Sequence, residues 1–220
     1  MMVNFNFEAL DEPIEIQGLT SFVVENTAKF SMLVQSFHRY NEENQALKIF
    51  DKKYKSLKEN EVVVITDVLG YDVNGTSVLK LIHDDLERQI SECPETKIKI
   101  ERLLEEVSHL VHKEMLDFEI ELESEQVELI NFLKAMRIKV EVQTSTIFER
   151  VLEIMQVFKY LTKKKLLTFI NLGSYLIKEE LLVLEEYARL QNIPVLLVDR
   201  HPIEGVQKQV ILDEDFVILT

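Results

Sequence analysis

The spacing of hydrophobic residues changes several times along this chain, and its clearest pattern lies between residues 166 and 199. Residues 166–172 form an apolar run of strand length that leads into Gly173, and residues 195–199 form a second such run. Between the runs, apolar residues recur every three to four positions, as they do along a helix that lies on a sheet. This order predicts a strand–helix–strand unit, which requires two parallel strands in a sheet that is covered on both faces.

Shorter apolar or alternating runs predict strands elsewhere. The first two of them flank a turn at Pro13 and predict an antiparallel pair, and the third leads into a helix that contains Phe30 and Phe37. The predicted strands outside the central unit are residues 3–7, 14–16, 20–24, 47–50, 62–65, 210–212 and 216–219.

Between residues 76 and 160 the spacing is mostly helical, with a break at Cys93 and an acidic interruption at residues 117–125. Thr146 and Glu149 have the spacing of a capping box, which predicts the start of the last helix in this part of the chain. We therefore predict two domains. Residues 1–75 and 162–220 form an α/β head, and residues 76–161 form a mainly α-helical insertion.

The order of these parts is typical of P-loop domains of the ATP-binding-cassette type. Antiparallel strands come first, then a strand, turn and helix, then a helical insertion, and finally the strand–helix–strand return. The predicted fold class is therefore α/β, with a mostly parallel sheet in the head and an inserted helical domain. Ligands of such sheets usually lie beyond the carboxyl ends of the strands.

The residues expected to bind a nucleotide there are missing. Residues 23–30 occupy the position of the phosphate loop but contain no glycine, so their backbone cannot wrap closely around a triphosphate. Residues 70–77 match the spacing of a P-loop, but Thr76 stands in place of the lysine that contacts the β and γ phosphates.

The catalytic acid is missing as well. The strand at residues 166–172 ends with Asn171 and Leu172, so the neutral Asn171 stands where a Walker-B carboxylate would hold Mg²⁺. Asp199, at the end of the next strand, has no evident acidic partner. The five histidines are scattered without a zinc motif. We predict a head that lacks a functional nucleotide site, in a protein that is not an enzyme.

Composition and charge limit the cellular compartment and the ligands expected for this protein. Among 220 residues, Cys93 is the only cysteine, which excludes an internal disulfide and fits a reducing cytoplasm. No apolar run approaches the roughly 20 residues that a membrane span requires. The formal net charge is −14, which opposes indiscriminate binding to nucleic acid but allows a segregated basic surface.

An acidic stretch stands out in the helical part of the chain. Carboxylates at positions 117, 119, 121, 123 and 125 alternate with Phe118, Ile120, Leu122 and Ser124, so an extended backbone would place them on one side. Such a row requires either water or a hard cation such as Ca²⁺ around it. From the residues alone, a solvated acidic edge is favoured over a calcium site.

The basic residues fall into three clusters, which are Lys52/Lys53/Lys55/Lys58, Arg137/Lys139 and Lys163/Lys164/Lys165. On so acidic a chain they indicate either ordinary solvated surface or a surface for a polyanion. Two functions remain open from the residues, namely DNA binding and an NTPase-like scaffold that makes no direct contact with DNA.

Several segments resemble one known family. The chain is similar along essentially its whole length to the small accessory spacer-acquisition proteins of type II-A CRISPR-Cas systems, the Csn family. The most specific segment is FKYLTKKKLL at residues 158–167. The others are NF at 4–5, LDEP at 10–13, LK at 47–48, ITDVLG at 65–70, LKLIH at 79–83 and ILDED at 211–215.

The resemblance implies a cytoplasmic, non-catalytic homotetrameric ring that takes part in acquiring new spacers for CRISPR antiviral defence. It implies binding to double-stranded DNA, preferentially at ends, Ca²⁺ as a ligand, and as partners the integrase proteins and RNA-guided nuclease of the same locus. Under it, the expected DNA-binding residues are Lys52, Lys53, Lys55, Lys58, Arg137 and Lys139. The expected calcium ligands are Glu119, Glu121, Glu123, Glu125 and Glu128. Lys163–165 is expected beside the head sheet, where it would serve subunit contacts.

Overall fold

The computed structural model describes residues 2–142, 145–161 and 163–219. It forms two compact units, a head unit made of Met1–Tyr71 with Gln143–Thr220 and a helical unit made of Asp72–Val142. The main elements in chain order are β1 (Val3–Phe7), β2 (Ile14–Ile16), β3 (Leu19–Val24), α1 (Thr27–His38), β4 (Leu47–Asp51), β5 (Val62–Ile65), α2 (Thr76–Ser91), α3 (Pro94–Met115), α4 (Leu129–Ala135), α5 (Ile147–Tyr160), β6 (Leu166–Ile170), α6 (Lys178–Gln191), β7 (Val195–Asp199), β8 (Gln209–Leu212) and β9 (Ile218–Leu219).

The head unit is built on a six-stranded sheet with the order β5-β6-β7-β3-β8-β9. All neighbouring pairs are parallel except β8 with β9. Strands β6 and β7 are adjacent and joined through α6, which confirms the predicted strand–helix–strand unit. Every residue of these two strands is buried, as expected for central strands of a sheet with two covered faces.

A second sheet of three antiparallel strands has the order β2-β1-β4, and the predicted pairing of β1 with β2 is confirmed. Its apolar residues share a core with those of the larger sheet. The ring of Phe5 lies 5.3 Å from that of Phe22 and 5.8 Å from that of Phe37, measured between centroids. The alternation of the sequence therefore sets which face of β1 is buried.

Helix α5 belongs to the head unit, whereas the predicted insertion of residues 76–161 included it. The helical unit of the structure covers residues 72–142. The predicted capping box is present, because Thr146 Oγ1 accepts from Glu149 N–H at 3.1 Å and the Glu149 carboxylate accepts from Thr146 N–H at 3.1 Å. The sequence located the helix but not the unit to which it belongs. Buried Arg150 ties the helix to the head by donating to the backbone carbonyl of Tyr71, and it also pairs with Glu153 within the helix.

The helical unit consists of α2, α3 and α4, and the predicted break at Cys93 is present, because α2 ends at Ser91 and α3 begins at Pro94. All 22 residues of α3 are described and none is buried, although its sequence is amphipathic. Residues 138–142 form no strand in spite of their alternation. Instead, the Asn74 side chain bonds to both backbone groups of Val140, at 2.8 and 3.1 Å.

The six-stranded sheet and the helical unit together confirm the predicted α/β class, with a mostly parallel sheet and a helical insertion.

Candidate functional site

A basic loop follows strand β4 in the head unit, and Asp51 fixes its shape. The Asp51 carboxylate accepts hydrogen bonds from the backbone N–H groups of Lys53 at 2.8 Å and Lys55 at 3.1 Å. These hydrogen bonds hold the pKa of Asp51 below its usual value. The ring of Phe50 stacks on that of Tyr54 at a centroid distance of 5.7 Å, which braces the turn. We call residues 51–58 the lysine loop.

The structure brings four of the six predicted DNA-binding residues together on the lysine loop. Lys52, Lys53, Lys55 and Lys58 are all exposed. None of the four forms an ion pair with another residue in the described part of the chain. Four unpaired ammonium groups make a concentrated positive patch on a chain of net charge −14. Lysines presented in this way can neutralise the phosphates of a polyanion.

The third basic cluster adjoins the lysine loop, a nearness that the sequence alone does not reveal. The Lys165 Nζ atom lies 2.5 Å from Glu61 Oε1. Partial burial raises the pKa of Glu61, but the hydrogen bonds from Lys165 and from Lys58 N–H hold it below its usual value. This adjacency follows from the parallel pairing of β5 with β6, because residues that precede paired parallel strands meet at one edge of the sheet.

The other predicted basic residues, Arg137 and Lys139, belong to the helical unit. Arg137 follows the end of α4 in a left-handed conformation with φ of 54°, and both side chains are exposed. They follow one another along the segment that Asn74 holds at Val140. The predicted set therefore divides between the two units, with the lysines on the head and this pair on the helical unit.

The phosphate-loop position at the start of α1 is filled by protein groups. The Asn26 side chain accepts from the backbone N–H groups of Ala28 and Lys29, both at 3.1 Å, and thereby occupies two donors that a phosphate would need. The Lys29 ammonium pairs with Glu8 at 2.9 Å. Glu214 lies 3.3 Å from the Asn26 amide, which adds a negative charge near the helix start. This arrangement opposes the binding of a triphosphate.

At residues 70–77, which match the spacing of a P-loop, protein groups also occupy the positions that a phosphate would need. The backbone N–H of Gly70 donates to the Asp67 carboxylate at 2.9 Å, and that of Asn74 donates to the Asp72 carboxylate at 2.9 Å. A Cβ atom at Gly70 would lie 2.4 Å from Asp67 Oδ2. The closeness of Asp67 therefore accounts for the glycine at this position, and no bound phosphate is needed to explain it. Two carboxylates already accept from the N–H groups that a P-loop would offer to a phosphate.

The Walker-B position has no free carboxylate. Asn171 lies just beyond β6 in a left-handed conformation with φ of 58°. Asp199, at the end of β7, is 3% exposed and accepts from Gly173 N–H at 3.0 Å. Burial raises the pKa of Asp199 to about 6 in spite of that hydrogen bond. A buried carboxyl group bonded to the neighbouring turn is poorly placed to hold Mg²⁺ or orient water.

The predicted calcium ligands are not brought together in the helical unit. All five are exposed, and residues 117–128 form neither the extended strand nor any helix. Among the described residues, no three His, Cys, Asp or Glu side chains come close enough to hold a metal ion. The segment is held to α3 at His112, whose ring nitrogens lie 2.6 Å from Ser124 Oγ and 2.8 Å from Ser108 O. The five carboxylates therefore do not form a preformed Ca²⁺ site, and calcium binding there stays a prediction.

Known proteins match this chain over up to 99% of its length. The sequence model of a family described as CRISPR-associated protein (Cas_Csn2) matches residues 39–216. A CRISPR-associated protein Csn2 from Streptococcus agalactiae is 40% identical over 218 residues, which are 99% of this chain and 98% of that protein. The chain belongs to the Csn2 family. A second Csn2 protein, from Enterococcus faecalis, is 43% identical over 213 residues, 97% of this chain and 96% of that protein.

One solved structure supports the fold of this Csn2-family chain. The crystal structure of Stu0660 of Streptococcus thermophilus matches with a TM-score of 0.52 and 14% identity, covering 90% of this chain and 68% of that one. At that identity the likeness concerns the fold alone. In addition, no helix in the described part of the Csn2-family chain is long and apolar enough to cross a membrane.

Proposed function

We propose that this Csn2-family protein binds double-stranded DNA through its lysine loop during the acquisition of new CRISPR spacers. The observation that carries the proposal is the set of four exposed, unpaired lysines on a loop that Asp51 holds in shape. Phosphate contacts by lysine carry little base information, so binding depends weakly on sequence. Arg137 and Lys139 of the helical unit are the other residues that contact DNA in this proposal.

The protein acts as a homotetrameric ring in the cytoplasm. The exposed apolar side of α3 supports assembly, since Leu103, Val107 and Leu110 follow the spacing of one helix face and are 52%, 58% and 63% exposed. A second copy is the occupant of that face in this proposal. A ring threads DNA from an end, which gives a preference for linear duplex. The integrase proteins and the RNA-guided nuclease of the same locus are its partners.

The protein contributes binding and assembly to this process rather than catalysis. Support comes from the Asn26 cap that fills the phosphate-loop position and from Asp199, whose carboxyl group is buried at the Walker-B edge. We expect purified protein with Mg²⁺ and ATP or GTP to release no phosphate above a blank. Turnover that copurifies with the protein and is lost in Asp199→Ala would contradict this.

The alternative function is a scaffold of NTPase-like fold that does not contact DNA. The exposed apolar side of α3 supports it as well, because a pure scaffold needs the same assembly surface. The two functions differ at the lysine loop, which only the DNA-binding function requires to be basic. A scaffold therefore shows no affinity for DNA, and charge reversal in the loop leaves its assembly unchanged.

The test combines charge reversal with a salt titration. Affinity for a short linear duplex is measured at several salt concentrations for the wild type and for the triple variant Lys52→Glu, Lys53→Glu, Lys55→Glu. Each lost phosphate contact should reduce the log–log salt slope by about 0.9. The matched control replaces the same three lysines by arginine, which keeps the charge and the slope. Equal affinity and slope in the glutamate variant would show that DNA does not bind at the lysine loop and would overturn the proposal. Absence of measurable binding by the wild type would favour the scaffold.

A further inference from the structure

A cavity of about 700 Å³ opens in the head unit next to the lysine loop. Its walls come from the end of α1, the residues that precede β5, and β5 itself. Lys58 of the lysine loop and Lys164 of the third basic cluster both line it. The full lining is Phe37, His38, Tyr40, Glu42, Lys58, Glu59, Asn60, Val62, Val64, Thr66 and Lys164.

The cavity combines an apolar part with hydrogen-bonding groups. Phe37, Val62 and Val64 form its apolar floor. Phe37 and Val62 belong to the buried core, and the partly buried Val64 is the most accessible of the three. Tyr40 is fixed, since its hydroxyl donates to the carbonyl oxygen of Leu57 at 2.7 Å. Exposed Asn60 and Thr66 add an amide and a hydroxyl group.

The charge of Lys164 indicates which kind of ligand the cavity favours. Its ammonium forms no ion pair with any described residue, although the neighbouring Lys165 is paired with Glu61. Burial lowers the pKa of Lys164, and the charge of Glu59 offsets this only in part. A partly desolvated cation without a direct counterion is stabilised by an anion that enters the cavity. Lys58, also unpaired, provides a second positive charge in the same lining.

We propose that this cavity binds a nucleotide, with the phosphate between Lys58 and Lys164 and the base against Phe37 and Val64. Two cations match one phosphate group, while the apolar surface matches an aromatic base rather than a bare anion. The volume lies within the range of cavities that hold small ligands. Glu42 and Glu59 in the lining disfavour a ligand with several phosphates, so a single phosphate group is the best match.

The same chemistry has two sources, a free nucleoside monophosphate and the 5′-phosphorylated terminal nucleotide of a DNA strand. The second source rests on the proposed function, because it requires the DNA end to reach the head unit. If the ligand is the DNA end, the contact between its 5′ phosphate and this cavity contributes to the proposed preference for ends. The two sources are distinguished by offering each ligand separately.

The first experiment titrates dAMP, and separately inorganic phosphate, into the full-length protein by calorimetry. We expect dAMP to bind more tightly than phosphate, and Lys164→Ala to weaken dAMP binding roughly tenfold, since a charged hydrogen bond is removed. Lys164→Arg keeps the charge and should retain most of the affinity. Lys163→Ala is the matched control, because Lys163 is exposed and does not line the cavity. Melting curves verify that every variant is folded.

The second experiment compares short linear duplexes that carry a 5′ phosphate or a 5′ hydroxyl. If the ligand is a DNA end, the phosphorylated duplex binds several-fold more tightly, and Lys164→Ala abolishes that difference while Lys163→Ala does not. Dependence on Lys164 in either experiment supports the cavity proposal and identifies its source. Independence of Lys164 in both overturns it. In that case, salt-dependent binding to duplex would leave the proposed function intact. Conversely, dAMP binding that depends on Lys164, in a protein that binds no duplex, would overturn the proposed function and leave the cavity proposal standing.

Discussion

The carboxylate of Asp199 accepts a hydrogen bond from the backbone N–H of Gly173 over 3.0 Å, and this bond joins the end of β7 to the turn after β6. The second carboxylate oxygen of Asp199 is buried without a hydrogen-bond partner among the described residues. In an NTPase of this architecture, the same edge would carry a carboxylate free to hold Mg²⁺. Here the carboxyl group holds the two strand ends together.

The burial of Asp199 predicts a specific pH dependence of stability. Its pKa is raised from 3.8 to about 6, so the folded protein binds more protons than the unfolded chain between these pH values. The contribution of Asp199 to stability therefore decreases as pH rises from about 4 to 6. In Asp199→Asn this loss is absent. The stability of the variant relative to the wild type should increase across that window by about 2–3 kcal/mol.

Urea unfolding of both proteins at pH 4, 5, 6 and 7 measures this difference. Asparagine can still accept from Gly173 N–H, so the variant is expected to fold. A stability difference between variant and wild type that stays constant over the whole range would show that Asp199 does not titrate there.

The apolar side of α3 predicts that assembly depends on this helix. Replacing Leu103 and Leu110 by glutamate should lower the oligomer mass, because charges at an apolar interface lose hydration without gaining partners. Light scattering coupled to size exclusion measures the mass. Glu105→Ala, an exposed polar change on the same helix, serves as the control. An unchanged mass in the double variant would mean that another surface joins the subunits.

Calcium binding at residues 117–128 would require that segment to rearrange, since its carboxylates are spread out and exposed. If it binds, Ca²⁺ at a hundredfold excess over Kd stabilises the folded state by about 2.7 kcal/mol, and EDTA lowers the melting temperature. Glu121→Ala with Glu123→Ala should abolish this shift. Glu105→Ala with Glu114→Ala is the matched control on α3. A melting temperature that Ca²⁺ and EDTA leave unchanged would refute the site.

The head sheet was predictable because its central strands are continuous apolar runs of strand length, as at β6 and β7. The location of α5 was not, because an amphipathic pattern shows that a helix has a buried face but not which unit covers it. The alternation at residues 138–142 also misleads, since the Asn74 side chain takes both backbone groups of Val140 that a strand would offer to a neighbour.

The candidate site could also be predicted only in part from the sequence. The lysine loop was evident from sequence, because four of its eight residues are lysine. The nearness of Lys164 and Lys165 to that loop depends on the β5–β6 pairing, which joins segments about a hundred residues apart in a parallel sheet. Once that pairing is known, the amino-terminal edge of the sheet becomes the place where basic residues collect. The carboxyl-terminal edge, where ligands are usually found, is closed by Asn26 and Asp199.

The most direct test of the central claim compares one DNA molecule in two forms, a relaxed covalently closed circle and the same circle cut once. Length, sequence and phosphate charge are identical, so only the presence of ends differs. Equilibrium binding at fixed salt should favour the linear form by about tenfold or more. The reason is that DNA can enter a closed protein ring only through a DNA end, which the circular form lacks. Equal affinity for the two forms would contradict threading through a ring.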